Sequence, residues 1–283
     1  MRLDARAHGI NHVRPGETRG GEERELSGLS MLEIRNVVVR FGGVLALDGP
    51  SFSVEEGEVC GLIGPNGAGK TTLFNCISRL YTPDSGEILC DGEDLLRRKP
   101  HEIAGLGIAR TFQNLALLHG RSVRDNVLLG AHHRARANLV TSALGLPSVR
   151  AEEQTLHAEA DEILERLELA PFADQPASGL PYGTLKRIEL ARALLQRPRV
   201  LMLDEPASGL THGEVDELRE LIAQLRDEFH LTVLLVEHHM AMVMRVCERV
   251  VVLDFGRKIA EGPASEVQND PAVIEAYLGT DDE

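Results

Sequence analysis

The stretch Gly64-Pro65-Asn66-Gly67-Ala68-Gly69-Lys70-Thr71-Thr72 constrains this chain more than any other. It has the spacing GxxxxGK[ST], follows the apolar run Val59–Ile63, and leads into a helical pattern over residues 70–79. Glycines at these positions let successive backbone N–H groups turn inward and form an anion nest at a helix N-terminus. Lys70 then reaches the β- and γ-phosphates of a nucleotide, and the Thr71 hydroxyl ligates Mg2+. A glycine-rich turn before an ordinary helix is the bland alternative. It loses force because strand and helix patterns flank the loop on both sides.

A second segment completes the metal site. Residues 200–203 form a short apolar run that ends in Asp204-Glu205. A strand buried in a parallel sheet delivers its terminal carboxylates to the edge where phosphates sit, beyond the strand C-termini. Asp204 is expected to hold Mg2+ through water. Glu205, one residue further, is expected to orient and deprotonate the attacking water as general base.

Apolar strands recur at EVCGLIG, RVLMLDE and LTVLLVEH, alternating with helical stretches at 152–169, 184–196 and 213–229. That alternation predicts a parallel sheet covered on both faces. MLEIRNVVVRF, from residue 31, suggests antiparallel strands added at one end. RVVVLDFGRKIAEG reads as two short strands joined near residues 255–256. Residues 1–30 carry Arg, Glu and Gly with little periodic hydrophobicity, and are expected to be a disordered tail without an export signal.

Composition excludes some partners. The 283 residues hold 30 Lys and Arg against 44 Asp and Glu, a formal charge of −14. Such a surface does not attract nucleic acid or anionic lipid in bulk. The longest apolar runs, 200–203 and 231–236, fall far short of the ~20 residues that cross a bilayer. Cys60, Cys76, Cys90 and Cys247 form no CxxC pair and read as reduced core fillers. Two basic clusters, Arg97-Arg98-Lys99 and the span 121–136, read as a solvated face or a docking surface.

With these motifs in place, the chain from residue 32 to about 279 resembles the ATP-binding subunit of an ABC transporter. The resemblance implies an α/β fold: a P-loop NTPase (RecA-like) core with an antiparallel β subdomain and an α-helical subdomain. It implies one ABC ATPase domain over 31–280, with core and β subdomain at 31–110 and 185–280 and the helical subdomain at 111–184. Phe41 in RFGG matches the aromatic that stacks on adenine. Gln113 in RTFQN matches the Q-loop glutamine that contacts Mg2+ and the lytic water. His238 matches the switch histidine that contacts the γ-phosphate. The family signature appears as Leu180-Pro181-Tyr182-Gly183-Thr184, followed by a helix whose N-terminus faces a partner's γ-phosphate. Pro181 stands where the family has serine and removes both a hydroxyl and a backbone donor. A lost hydrogen bond to phosphate costs ~1.5–3 kcal/mol, so this signature implies a weaker grip. Residues 207–210, Ala-Ser-Gly-Leu, resemble the D-loop, with Thr211 where many relatives have Asp.

Tyr182, the helical insertion at 152–169 and the ending DPAVIEAYLG are similar to ATPases of bacterial branched-chain and other hydrophobic amino-acid importers. On one face of the insertion, Leu156, Ala160, Ile163, Leu164 and Leu167 read as core. The resemblance implies ATP and Mg2+ as cofactors and ATP hydrolysis coupled to import. It also implies transmembrane permease subunits, a second ATPase chain (identical or not), an extracytoplasmic substrate-binding protein, and no nucleic acid. The chain is then expected at the cytoplasmic face of the cell membrane, held there by its membrane subunits. Two rivals differ in class. A soluble nucleic-acid machine of this family usually carries two cassettes or a long coiled-coil insertion, and a P-loop kinase passes phosphate to a metabolite.

Overall fold

The structure, a computed structural model, describes residues 30–111, 115–134, 147–237 and 240–278. Nearly all of the expected tail lies outside them, as do Gln113 and His238. In chain order the strands are β1 (Ser30–Phe41), β2 (Val44–Asp48), β3 (Phe52–Glu55), β4 (Val59–Ile63), β5 (Ser85–Cys90), β6 (Glu93–Asp94), β7 (Ile108–Arg110), β8 (Val200–Asp204), β9 (Thr232–Val236), β10 (Arg249–Asp254) and β11 (Arg257–Pro263). The α-helices are α1 (Lys70–Ile77), α2 (Val123–Leu128), α3 (Pro147–Arg166), α4 (Tyr182–Leu194), α5 (His212–Phe229), α6 (Met240–Val246), α7 (Ala264–Val267) and α8 (Pro271–Leu278).

The strands make two sheets. One has the order β11-β10-β4-β9-β8-β7 and is parallel from β10 to β7, with β11 added antiparallel through the expected turn. The other is antiparallel, β2-β1-β5-β6 with β3 also on β1. It contains the β subdomain expected from MLEIRNVVVRF. The strands β2, β3, β5, β6 and β7 are not expected from the sequence. β7 has only three residues and β6 only two, too few to show a period.

Alternation along the parallel strands divides the interior in two. Val59 and Ile63, Leu201 and Leu203, Val233 and Leu235, and Val250 and Val252 face the core shared with the helices. Cys60 and Leu62, Val200 and Met202, Leu234 and Val236, and Val251 and Leu253 face the core shared with α1 and the antiparallel sheet. Both faces are covered, so these strands read as continuous apolar runs.

The helices differ from expectation at their ends. α3 begins at Pro147, five residues before the expected start, and stops at Arg166 rather than 169. It stops there because Glu168 takes a left-handed φ of 58°. The Leu169 amide then bonds the Leu164 carbonyl at 2.7 Å and the Glu168 amide bonds the Glu165 carbonyl at 3.1 Å, a Schellman closure. Ala160, Ile163, Leu164 and Leu167 are buried and Leu156 packs against them, so the insertion is core as expected. All four cysteines are buried and unpaired with one another.

Candidate functional site

The phosphate loop leaves β4 at Gly64 and enters α1 at Lys70. Gly64 has φ 147°, and a Cβ there would lie 2.0 Å from the Leu253 carbonyl oxygen of β10. Gly69, the N-cap of α1, has φ 101°, and its Cβ would lie 2.7 Å from the Ala46 carbonyl of β2. Only glycine fits either position, because the loop is pressed between the two sheets. Lys70 is buried and donates to the Gly64 carbonyl at 2.6 Å and the Pro65 carbonyl at 2.8 Å. Burial lowers its pKa, while Glu205 and Asp204 push it back up.

Sheet register brings the acidic pair to this loop. Leu62 of β4 pairs with Val236 of β9, and Val236 pairs with Asp204 of β8. The residues that follow these three therefore emerge along one edge: Gly64 after Ile63, Glu237, and Glu205. Glu205 has φ 48°, and its amide donates to the Val236 carbonyl at 2.9 Å. This left-handed turn redirects the chain directly after the β8 strand, so that the two acidic residues leave the sheet edge in different directions. Glu237 is fully buried and accepts from the Ala207 amide at 2.7 Å, fixing the start of the turn after Glu205. Asp204 is buried at the same edge.

The two ends of the site are less enclosed. Phe41 ends β1 with 46% of its surface exposed, its ring edge-on to Tyr81 at 5.1 Å between centroids. Its partner strand β2 runs past Gly69, so Phe41 ends a strand pair that borders the phosphate loop. In the signature, α4 begins at Tyr182, two residues before the expected start. This puts Tyr182, Gly183 and Thr184 in its first turn, with Pro181 at the N-cap and no side-chain cap. Leu180 is half-buried, and the Leu185 amide reaches the Pro181 carbonyl at 3.0 Å. The Tyr182 ring rests on Gly209, where a Cβ would come within 3.0 Å of it, so signature and D-loop-like segment touch within one chain. Thr211 caps α5, its hydroxyl donating to Glu214 Oε2 at 2.7 Å and its amide to the same oxygen at 2.8 Å. The threonine at the D-loop aspartate position is thus committed to a helix start.

Asp204 and Thr71 present a carboxylate and a hydroxyl, the hard oxygen donors that Mg2+ takes alongside phosphate and water. The donor set fits the metal. Three further residues went unnoticed in the sequence. Arg110 of β7 donates to Asp204 Oδ2 at 2.7 Å. Glu237 carries the same signal as Asp204, a carboxylate directly after an apolar strand. On α8, burial raises the Tyr277 phenol, and Ala272, Glu275 and Ala276 of that helix line a cavity together with residues 65–68, which brings the C-terminal helix to the phosphate loop.

Comparison with known proteins agrees with this geometry. The profile of the family described as "ABC transporter" matches residues 47–208, and that of "Branched-chain amino acid ATP-binding cassette transporter" matches 257–283. The chain is 43% identical over 249 residues to a high-affinity branched-chain amino acid transport ATP-binding protein of Pseudomonas aeruginosa, covering 88% of this chain and 98% of that one. The corresponding protein of Escherichia coli is 40% identical over 249 residues, with the same coverage. Among solved structures, the ADP conformation of an ATP-binding cassette of an ABC transporter superposes with TM-score 0.78 at 32% identity, covering 89% of this chain and 99% of that one. A dimeric, post-hydrolysis cassette bound to ADP and phosphate gives 0.69 at 26% identity, covering 83% and 99%.

Proposed function

This chain belongs to the ABC transporter ATP-binding family, whose members hydrolyse ATP to power transport, and on that premise we propose that it drives import of branched-chain or other hydrophobic amino acids. The observation that carries the reading is the shared sheet edge, where β4 supplies the phosphate loop and β8 supplies Asp204-Glu205. The cargo follows from the relatives of 40–43% identity and from the matched C-terminal segment.

Residues 64–72 wrap the triphosphate in backbone amides, and Lys70 leaves its two loop carbonyls to meet the phosphate oxygens. Phe41 stacks on adenine. Thr71, Asp204 and Gln113 would hold Mg2+, which when bound would supply positive charge to the phosphates. Glu205 accepts a proton from the attacking water, and His238 contacts the γ-phosphate. The signature turn, Leu180 to Thr184, faces the nucleotide of a second ATPase chain, so one triphosphate joins two chains and hydrolysis releases them.

No helix among the described residues is long and apolar enough to cross a membrane, and the family works with membrane permease subunits. Exposed Leu118 and Leu129 border a groove with Leu128, Ala131 and Leu156, a surface for a permease helix at the cytoplasmic face of the membrane. A substrate-binding protein outside the membrane completes the importer.

Glu205→Gln tests the chemistry. ATP binding is expected to persist while hydrolysis falls at least a hundredfold, the usual scale for a lost general base. Full turnover in that variant would remove Glu205 from the reaction. Uptake of labelled leucine by the chain assembled with its permease subunits tests the cargo.

A further inference from the structure

Asp204 does not stand alone at the sheet edge. Arg110, the last residue of β7, pairs in register with Met202, two residues before Asp204. Its Nη2 donates to Asp204 Oδ2 at 2.7 Å, and both side chains are more than nine-tenths buried. Its Nη1 donates to Asn75 Oδ1 at 2.8 Å and to Ser78 Oγ at 3.2 Å, in α1 and at its C-cap. The guanidinium carbon stands 5.3 Å from the centre of the Phe74 ring. One residue further on, the Thr111 hydroxyl accepts from the Asp204 amide at 3.4 Å. The carboxylate is thus gripped from β7, and the same cation is anchored to the helix that leaves the phosphate loop.

A buried carboxylate needs a counter-charge, and a guanidinium fork supplies one in fixed geometry. The same fork takes up one of the two carboxylate oxygens and brings positive charge to the place where a divalent cation is to be held. We propose that Arg110 is a positioning residue that serves as the counter-ion of Asp204 and sets how tightly magnesium is held there. It acts through Asp204 and touches no nucleotide in this account. The proposal rests on the nucleotide-site reading above. It leads to two opposite effects of removing the charge: the metal-free protein loses stability, and the metal binds more tightly.

The test uses the full chain with ADP, so that no turnover intervenes, and Mn2+ as the spectroscopic probe in place of Mg2+. Free Mn2+ is read by electron paramagnetic resonance, and melting without metal is followed by circular dichroism. Arg110→Met is expected to bind Mn2+ at least about tenfold more tightly. About tenfold is the lower bound, the order given by repulsion between a monovalent and a divalent cation a few ångströms apart at the dielectric constant of water, and burial of the pair strengthens it. Its metal-free melting temperature is expected to fall. Arg110→Lys keeps the charge but not the fork, so Mn2+ affinity is expected to return to the wild-type value with melting only partly restored. A purely structural role would not tighten metal binding. Unchanged or weaker Mn2+ binding in a cooperatively folded Arg110→Met protein would overturn the proposal. Should that variant fail to fold, Arg110→Gln, which keeps a donor to Asp204 without charge, carries the same expectation and the same refutation. Failure of the underlying reading has a different signature, since the wild-type chain would then bind no Mn2+ with ADP.

Discussion

Replacing Gly64 by alanine puts a methyl carbon 2.0 Å from the Leu253 carbonyl oxygen and 3.1 Å from the Ala68 Cβ. Two costs add. A φ of 147° belongs to glycine, and an L residue held there is strained by roughly 1–3 kcal/mol. The carbonyl must also retreat by more than 1 Å to reach ordinary contact, as an order of magnitude for van der Waals packing. It sits near the end of β10, which is hydrogen-bonded to β4 on one side and β11 on the other. Retreat therefore overpacks or parts a ladder, for about another 1–3 kcal/mol. A combined ~4 kcal/mol corresponds to a fall in melting temperature of roughly 8–16 °C. Gly67→Ala isolates the first cost, because Gly67 has φ 81° and nothing within 4 Å of its Cβ position. Its expected loss is about 1–2 kcal/mol, the penalty of the left-handed region alone. The assay is thermal melting of both variants by circular dichroism, with ADP affinity measured by titration calorimetry. Gly64→Ala should also lose ADP binding, because the first turn of the loop must move. Equal melting temperatures for the two variants, with equal ADP affinity, would refute the claim that close backbone approach dictates this glycine.

Other predictions follow from the cysteines and the signature. Burial pushes the Cys76 and Cys90 thiols up to about 11 and Cys247 to about 12, with Cys60 higher still. No thiolate is then available at pH 8, and Ellman's reagent should find none of the four until denaturant is added; rapid labelling of any one in the folded chain would contradict this. Because these folded-state values lie above the ordinary 9.0, their contribution to stability is intact below pH 9 and lost as pH rises through 11 to 12. The urea midpoint should decline across that window. Pro181→Ser should raise ATPase turnover of the assembled complex several-fold by adding a cap to α4 and a donor to phosphate. Unchanged kcat would mean that this signature does not limit the cycle.

Features carried by neighbouring residues are legible in the chain alone. Gly64 through Thr72 carry their own turn chemistry, and the apolar run before Asp204-Glu205 carries its own burial, so both motifs and the α/β class were legible from spacing. Buried strands announce themselves because nearly every side chain in them is apolar, whereas β7, with three residues, announces nothing. Helix starts shifted because they depend on single residues: Pro147 begins α3, and Pro181, the N-cap, lets α4 begin at Tyr182, both ahead of the periodic pattern. Which polar groups meet is settled by the fold instead. β9 lies between β4 and β8, which places the buried Glu237 behind the turn that follows Glu205. Arg110 meets Asp204 across 94 residues of chain, and Gly64 meets the Leu253 carbonyl across a strand pairing. No local pattern encodes such pairings. They follow from sheet order and register, which the chain settles by burying both faces of the central parallel strands at once.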